Sequence, residues 1–182
     1  MVAGQLILIG GGVRSGKSDF ALSLARQLGQ RRLFLATAQA GDDEMTDRIR
    51  RHRQARGDDF ITIEEPLAIA EAVRRHAEFD VVVLDCLTLW LSNLLLNGCS
   101  LEQILQHVDD FLAVLGKQTG HVVIITNEVG MGIVPENALG RQFRDVAGLA
   151  HQRISQAADE VYLAVLGTIL RIKPPMLGEP VA

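Results

Sequence analysis

An α/β fold built on a mainly parallel sheet is the class this chain predicts, and three observations carry it. Short apolar, β-branched runs alternate with longer segments of helical period, as in repeated strand-helix-strand units. A glycine-rich turn joins the first such strand to the first helix. The last two apolar runs are separated by only Gly167 and Thr168, which predicts an antiparallel hairpin with a glycine-led turn at one edge of the sheet.

Taken in order, strands are expected at Gln5 to Ile9, Leu33 to Ala36, Asp80 to Leu84, His121 to Thr126 and Val161 to Val165. Each is a short Val, Ile or Leu run of the kind buried on both faces of a parallel sheet. Between them the apolar spacing lengthens to that of helices at Lys17 to Leu28, Asp43 to Arg56, Leu67 to His76, Leu87 to Leu96, Leu101 to Leu115 and Leu139 to Ala158. No repeat, low-complexity tract or linker divides these elements. Residues 1–173 are therefore expected to form one nucleotide-binding domain, followed by a tail over 174–182.

Composition narrows the function. With 182 residues, 48% of them hydrophobic, the chain is long enough to hold a core without disulfides. Its two cysteines, Cys86 and Cys99, match no disulfide framework or zinc spacing and suit a reducing, cytoplasmic setting. Eighteen Lys plus Arg against twenty-two Asp plus Glu leave a net charge of -4, which argues against nucleic acid as a partner. The start lacks the basic and long apolar regions of a signal peptide. The run Leu87 to Leu96 is too short to span a membrane.

The first strand runs into Gly11, Gly12, Val13, Arg14, Ser15, Gly16, Lys17 and Ser18, which is G-x-x-x-x-G-K-S between a strand and a helix. Glycines let successive backbone N–H groups turn inward onto phosphate oxygens, and the following helix adds its positive end. Lys17 supplies a point charge for the outer phosphates, and the Ser18 hydroxyl can sit on magnesium. A nucleoside triphosphate site follows.

The apolar run Val81 to Leu84 ends in Asp85, which a strand of this kind would deliver to the sheet's carboxyl edge as a magnesium-directed carboxylate. Ile124 and Ile125 likewise lead to Thr126, Asn127 and Glu128, a second carboxylate at a strand end.

Between Asp42 and Arg56 the acids gather first and five arginines follow, complementing a helix dipole. At a period of 3.6, Arg48, His52 and Arg56 share a face with Arg53 beside them. Positive neighbours keep an imidazole neutral and nucleophilic, so His52 is a candidate for attack on a phosphorus atom through a phosphoramidate. His76, His107, His121 and His151 lack that setting and are expected to serve surface or packing roles.

Together these residues resemble a known family. GGVRSGKS at Gly11 to Ser18, LATAQ at Leu35 to Gln39, DEMTDRIRRHR at Asp43 to Arg53, TIE at Thr62 to Glu64, DCLTL at Asp85 to Leu89 and NEVGMGIVPENALGRQFRD at Asn127 to Asp145 are similar to the bifunctional adenosylcobinamide kinases / adenosylcobinamide-phosphate guanylyltransferases. The likeness spans nearly the whole chain up to Lys173. Val13, Gly57, Phe60 and His151 depart from the family's usual alanine, proline, tryptophan and asparagine, and none of these departures removes a reacting group.

The resemblance implies a P-loop NTPase-like, RecA-like fold and two reactions of cobalamin biosynthesis. Adenosylcobinamide is phosphorylated at its aminopropanol hydroxyl using ATP or GTP; GMP is then transferred from GTP to that phosphate, with loss of pyrophosphate. It implies that His52 carries the GMP and that nucleotide contacts fall on Gly11 to Ser18, Ala36, Thr37, Ala38, Arg53, Arg56, Glu64 and Asp85. Mg2+ would rest on Ser18 and Asp85, and the assembly would be a homotrimer. Read from the residues alone, a small-molecule kinase without a covalent step, or a nucleotide-controlled switch, stays open. Against the switch, Thr126 to Val129 reads TNEV rather than the N-K-x-D of guanine switches.

Overall fold

In the computed structural model the described residues are 4–39, 50, 53 and 56–174. Strands β1 (Leu6–Gly11), β2 (Arg32–Ala36), β3 (Ile61–Glu64), β4 (Val81–Asp85), β5 (His121–Asn127), β6 (Glu160–Val165) and β7 (Thr168–Lys173) form one sheet in the order β3-β2-β4-β5-β1-β6-β7. Pairings up to β6 are parallel, and β6 and β7 make the antiparallel edge hairpin. Helices are α1 (Lys17–Leu28), α2 (Ile69–Arg75), α3 (Leu87–Leu96), α4 (Leu101–Leu115) and α5 (Ala138–Ala157).

The strand sequences explain the layering. Alternate residues of β1, β4 and β5 point to opposite faces. Ile7, Ile9, Val81, Val83, Val123 and Ile125 join Ala21, Leu22 and Ala25 of α1 in one core. Leu8, Val82, Leu84, Val122 and Ile124 join the larger core under α2 to α5, built around Trp90, Phe111 and Ile154. Asn93, an apparent interruption of the apolar α3, donates from Nδ2 to the carbonyls of Thr37 (2.9 Å) and Pro66 (3.0 Å). It ties the loop after β2 to the helix layer.

The expected alternation and hairpin are present, with four strand starts displaced by one residue and one strand omitted; β2 and β6 begin at Arg32 and Glu160, just before the expected Leu33 and Val161. Gln5 and Asp80 precede rather than begin their strands. The segment Ile61–Glu64 is a strand that the apolar pattern did not announce. It is four residues long, lies at the sheet's edge and buries none of them fully, so it carries no continuous apolar run. The helix expected over Asp43 to Arg56 lies mostly outside the described residues, although Arg50, Arg53 and Arg56 are helical. Among the described residues no helix is long and apolar enough to cross a membrane.

Candidate active site

Several of the expected nucleotide-contacting residues lie along the sheet's carboxyl edge. Gly11 closes β1, and a Cβ there would lie 2.5 Å from the Ala164 carbonyl oxygen and 2.7 Å from Ser15 Oγ, so the chain can turn away from the sheet only without a side chain. Gly16 caps α1 with φ 91, a left-handed value that glycine adopts without strain. Lys17, at the start of α1, is 7% exposed and its Nζ donates to the Gly12 carbonyl at 3.0 Å. Gly12, Val13 and Arg14 form the exposed crown of the loop, and Ser18 is half-buried in the first turn of α1.

Register places the acids. Ala36 of β2 pairs with Glu64 of β3 on one side and Asp85 of β4 on the other, and Asn127 of β5 pairs with Gly11. Beyond β2, Thr37 N donates to the Asp85 carbonyl (3.0 Å). Thr37 Oγ1 donates to the Cys86 carbonyl (2.8 Å) and accepts from Cys86 N (2.9 Å). Ala38 follows half-buried. Burial, and next the charge of Asp85, push the Cys86 thiol up to about 11, while Lys17 pulls it the other way. The loop lysine and the strand carboxylate thus both act on this buried sulfur.

Arg56 is buried and lies over the Phe34 ring, 3.9 Å from its centroid. Burial lowers its pKa, Asp85 opposes that, Arg53 adds to it, and Glu64 again opposes it. A guanidinium stays charged under such opposing influences. Arg56 therefore bridges the fields of both acids. Arg56 Nε, Ser15 Oγ and Asn127 Oδ1 are all buried with no hydrogen-bond partner among the described residues. Buried polar atoms are normally satisfied; Arg56 Nε and the Ser15 hydroxyl can each donate to a phosphate oxygen, whereas Asn127 Oδ1 can only accept from a donor.

Among the described residues no group of three or more His, Cys, Asp or Glu could hold a metal ion. Magnesium keeps few protein ligands and leans on substrate phosphates, so a site for it needs no such group. Arg53 is exposed and lines a cavity of about 440 Å³ with Gly57, Asp58, Phe60 and Thr62. A larger cavity of about 820 Å³, between Trp90, Leu94 and His107, contains none of the expected site residues. His52, the expected nucleophile, and Arg48 lie outside the described residues.

His151 of α5, expected in a surface or packing role, has a side chain only 14% exposed and faces the end of β5. Its Nε2 is 2.7 Å from Thr126 Oγ1 and its Nδ1 is 3.8 Å from Glu128 Oε2. Burial lowers its pKa against the pull of Glu128. Glu128 was visible as a strand-end acid; its partner, 23 residues later on an ordinary helical face, carried no local signal.

The family model described as Cobinamide kinase / cobinamide phosphate guanyltransferase matches residues 7–172. The chain is 43% identical over 175 residues to the bifunctional adenosylcobalamin biosynthesis protein CobP of Pseudomonas aeruginosa, covering 95% of this chain and 98% of that protein. It is 39% identical over 184 residues to the Escherichia coli protein CobU, covering 93% and 100%, and 40% identical over 186 residues to CobU of Salmonella typhimurium, again covering 93% and 100%. Among solved structures, the RadB recombinase matches with a TM-score of 0.53 at 14% identity, over 88% of this chain and 74% of that one. That likeness is one of fold, and with the strand-loop-helix phosphate loop it is the P-loop NTPase fold. By the family match and the near-complete span of its relatives, the chain belongs to the cobinamide kinase / cobinamide phosphate guanyltransferase family.

Proposed function

We propose that the protein phosphorylates the hydroxyl of adenosylcobinamide from ATP or GTP and then joins GMP to that phosphate, with both transfers centred on one phosphate loop. The observation that carries this reading is the convergence of Lys17, Asp85 and Arg56. Lys17 and Asp85 act on the same Cys86 sulfur, and Arg56 feels both Asp85 and Glu64. Phosphoryl and nucleotidyl transfer ask a protein mainly for positioning and for stabilisation of spread negative charge, and this edge offers cations for charge and carboxylates for a metal. Ser18 and Asp85 would hold magnesium, which supplies charge neutralisation on the phosphates when bound.

For the second transfer we assign His52 as nucleophile on the α phosphorus of GTP, with pyrophosphate leaving. Support comes from its place in the sequence, four residues before Arg56, whose guanidinium feels the charges of both Asp85 and Glu64. Arg53 and Arg56 would hold phosphate oxygens while Lys17 holds the outer phosphates.

The products test the scheme. Cobinamide supplied with GTP and magnesium should yield, by mass, both cobinamide phosphate and cobinamide-GDP. Lys17→Ala should lower both rates by about 10² or more, the scale of lost transition-state charge stabilisation. A Lys17→Ala protein that retains either rate in full would separate the two sites and overturn the shared-loop reading.

We further read the assembly as a homotrimer working in the cytoplasm. The edge hairpin exposes Leu166, Leu170 and Ile172, an apolar strand edge of the kind proteins cover. Cys86 and Cys99 are both free thiols. Sedimentation at three times the subunit mass checks the first point, and a monomer at working concentration would reject it.

A further inference from the structure

We propose that Glu128, oriented by His151, is the general base of the kinase half-reaction. It would take the proton of the acceptor hydroxyl as that oxygen attacks the γ phosphorus.

The placement comes from the strand register. Glu128 follows the last residue of β5, and its backbone N–H donates to the Gly11 carbonyl at 3.1 Å, so it stands beside the opening of the phosphate loop. One oxygen of its carboxylate is hydrogen-bonded, and the other lies 3.8 Å from a ring nitrogen, near enough for charge attraction but not for a hydrogen bond. Oε1 accepts from Gly130 N at 2.6 Å, and Oε2 faces His151 Nδ1. A Cβ at Gly130 would lie 2.8 Å from that Oε1, so a side chain there would push the carboxylate aside. Arg144 of α5 in turn holds the Gly130 carbonyl at 2.8 Å. The Glu128 side chain is still 31% exposed, leaving it open to an acceptor.

His151 is a positioning residue. A lone pair turned toward a carboxylate would be repelled, so the Nδ1 position carries the proton; burial disfavours a second proton, which leaves Nε2 to accept from the Thr126 hydroxyl. This ring therefore offers Glu128 an N–H without a full positive charge. The other acids of the sheet edge differ, because Glu64 and Asp85 both engage the charge of Arg56. Among these strand-end carboxylates, Glu128 is the one that faces a neutral partner beside the loop.

The chemistry balances without any further reagent. The acceptor oxygen forms a bond to the γ phosphorus, and the bond from that phosphorus to the β,γ-bridging oxygen breaks. Its electron pair leaves on the nucleoside diphosphate, while the hydroxyl proton passes to Glu128 and then to solvent. Guanylyl transfer differs at this point. Its acceptor is a phosphate, largely ionised at neutral pH, so it has no hydroxyl proton to lose.

The experiment compares the two half-reactions in the full-length protein. One assay gives cobinamide with γ-labelled ATP; the other gives cobinamide phosphate with GTP. Glu128→Gln should lower kcat for phosphorylation by about 10² or more, the usual weight of a general base. The kinase-to-guanylyl rate ratio should fall by a similar factor. KM for ATP should change by no more than about threefold, since no binding contact is removed. His151→Leu should lower kinase kcat by about tenfold through misplacement of the carboxylate. His151→Asn, whose amide nitrogen takes the place of Nδ1, should recover most of that loss. Kinase turnover within about threefold of the parent in Glu128→Gln, in a region where a base is worth about 10² or more, would overturn the proposal. So would an equal fall in both half-reactions. If Glu128→Gln loses its cooperative melting transition, the same ratio is read on the His151 pair: equal ratios in Leu and Asn variants overturn the proposal, and recovery in Asn supports it.

Discussion

Asp80 joins the end of the α1 connection to the sheet with one carboxylate. Oδ2 accepts from Gln30 N (3.0 Å) and Arg31 N (2.9 Å), and Oδ1 accepts from Arg31 Nε (3.1 Å) and Nη2 (2.8 Å). The backbone N–H of Arg31 is the leading cause of a pKa lowered from 3.8 to about 2. Because the folded value lies below the unfolded one, the contribution is complete above pH 3.8 and fades as pH falls toward about 2. Asp80→Asn should therefore have a lower urea midpoint than the parent at pH 7, with the gap closing between pH 4 and pH 2; a gap independent of pH would contradict this role. At Cys86, a thiol pushed up to about 11 by burial should resist iodoacetamide at pH 8 while half-exposed Cys99 reacts, as peptide mass mapping would report. Equal labelling would contradict the buried placement. Residues whose work is local were readable in advance, as with Gly16 and Lys17, where a fixed spacing imposes backbone curl and charge. His151 and Cys86 were not, because their character is set by Thr126, Glu128, Asp85 and Lys17, none of them close in sequence to its partner except Asp85.

Helix α4 illustrates what an element owes to its ends. Ser100 Oγ accepts from Gln103 N at 3.3 Å, and Gln103 Oε1 accepts from Ser100 N at 2.7 Å, a reciprocal cap ahead of a face that buries Ile104, Val108 and Phe111. Ser100→Ala should cost about 1 kcal/mol, read as a lower melting temperature with unaltered kinase rate; no loss of stability would show the cap to be redundant. Elements with long periodic runs were legible with their bounds, as α1, α3 and α4 were. The terminal hairpin was legible too, but its turn is not glycine-led as expected: Leu166 (φ 52) leads, Gly167 (φ 76) follows, and Thr168, inside β7, pairs with Val165. Strand β3 was not. Its residues, Ile61 to Glu64, sit at an edge and are exposed or half-buried, so tertiary pairing with β2 rather than apolar pattern makes them a strand.

At the scale of the molecule, two cores of unequal size grip one sheet, and the site lies where the strand order reverses sense around β1. Phe111 is fully buried and its ring centroid is 5.8 Å from that of Trp90 in the larger core. Phe111→Ala should cost about 3–5 kcal/mol, enough to lower the unfolding midpoint sharply while leaving nucleotide contacts in place; a midpoint within a degree of the parent would contradict this packing. That β5 rather than β4 neighbours β1 was not readable from order along the chain, because local sequence encodes a strand but not its neighbour. That arrangement nevertheless brings Asn127 and Glu128 next to the phosphate loop and sets Asp85 one strand further away.

The most direct measurement is the fate of label from GTP carrying a radioactive α phosphate, incubated with magnesium and no corrinoid. The account predicts one phosphoramidate per active site, stable in alkali, lost in acid, mapped to His52 and absent from His52→Ala. Label that persists in His52→Ala, or a parent protein that makes cobinamide-GDP without ever becoming labelled, would contradict it.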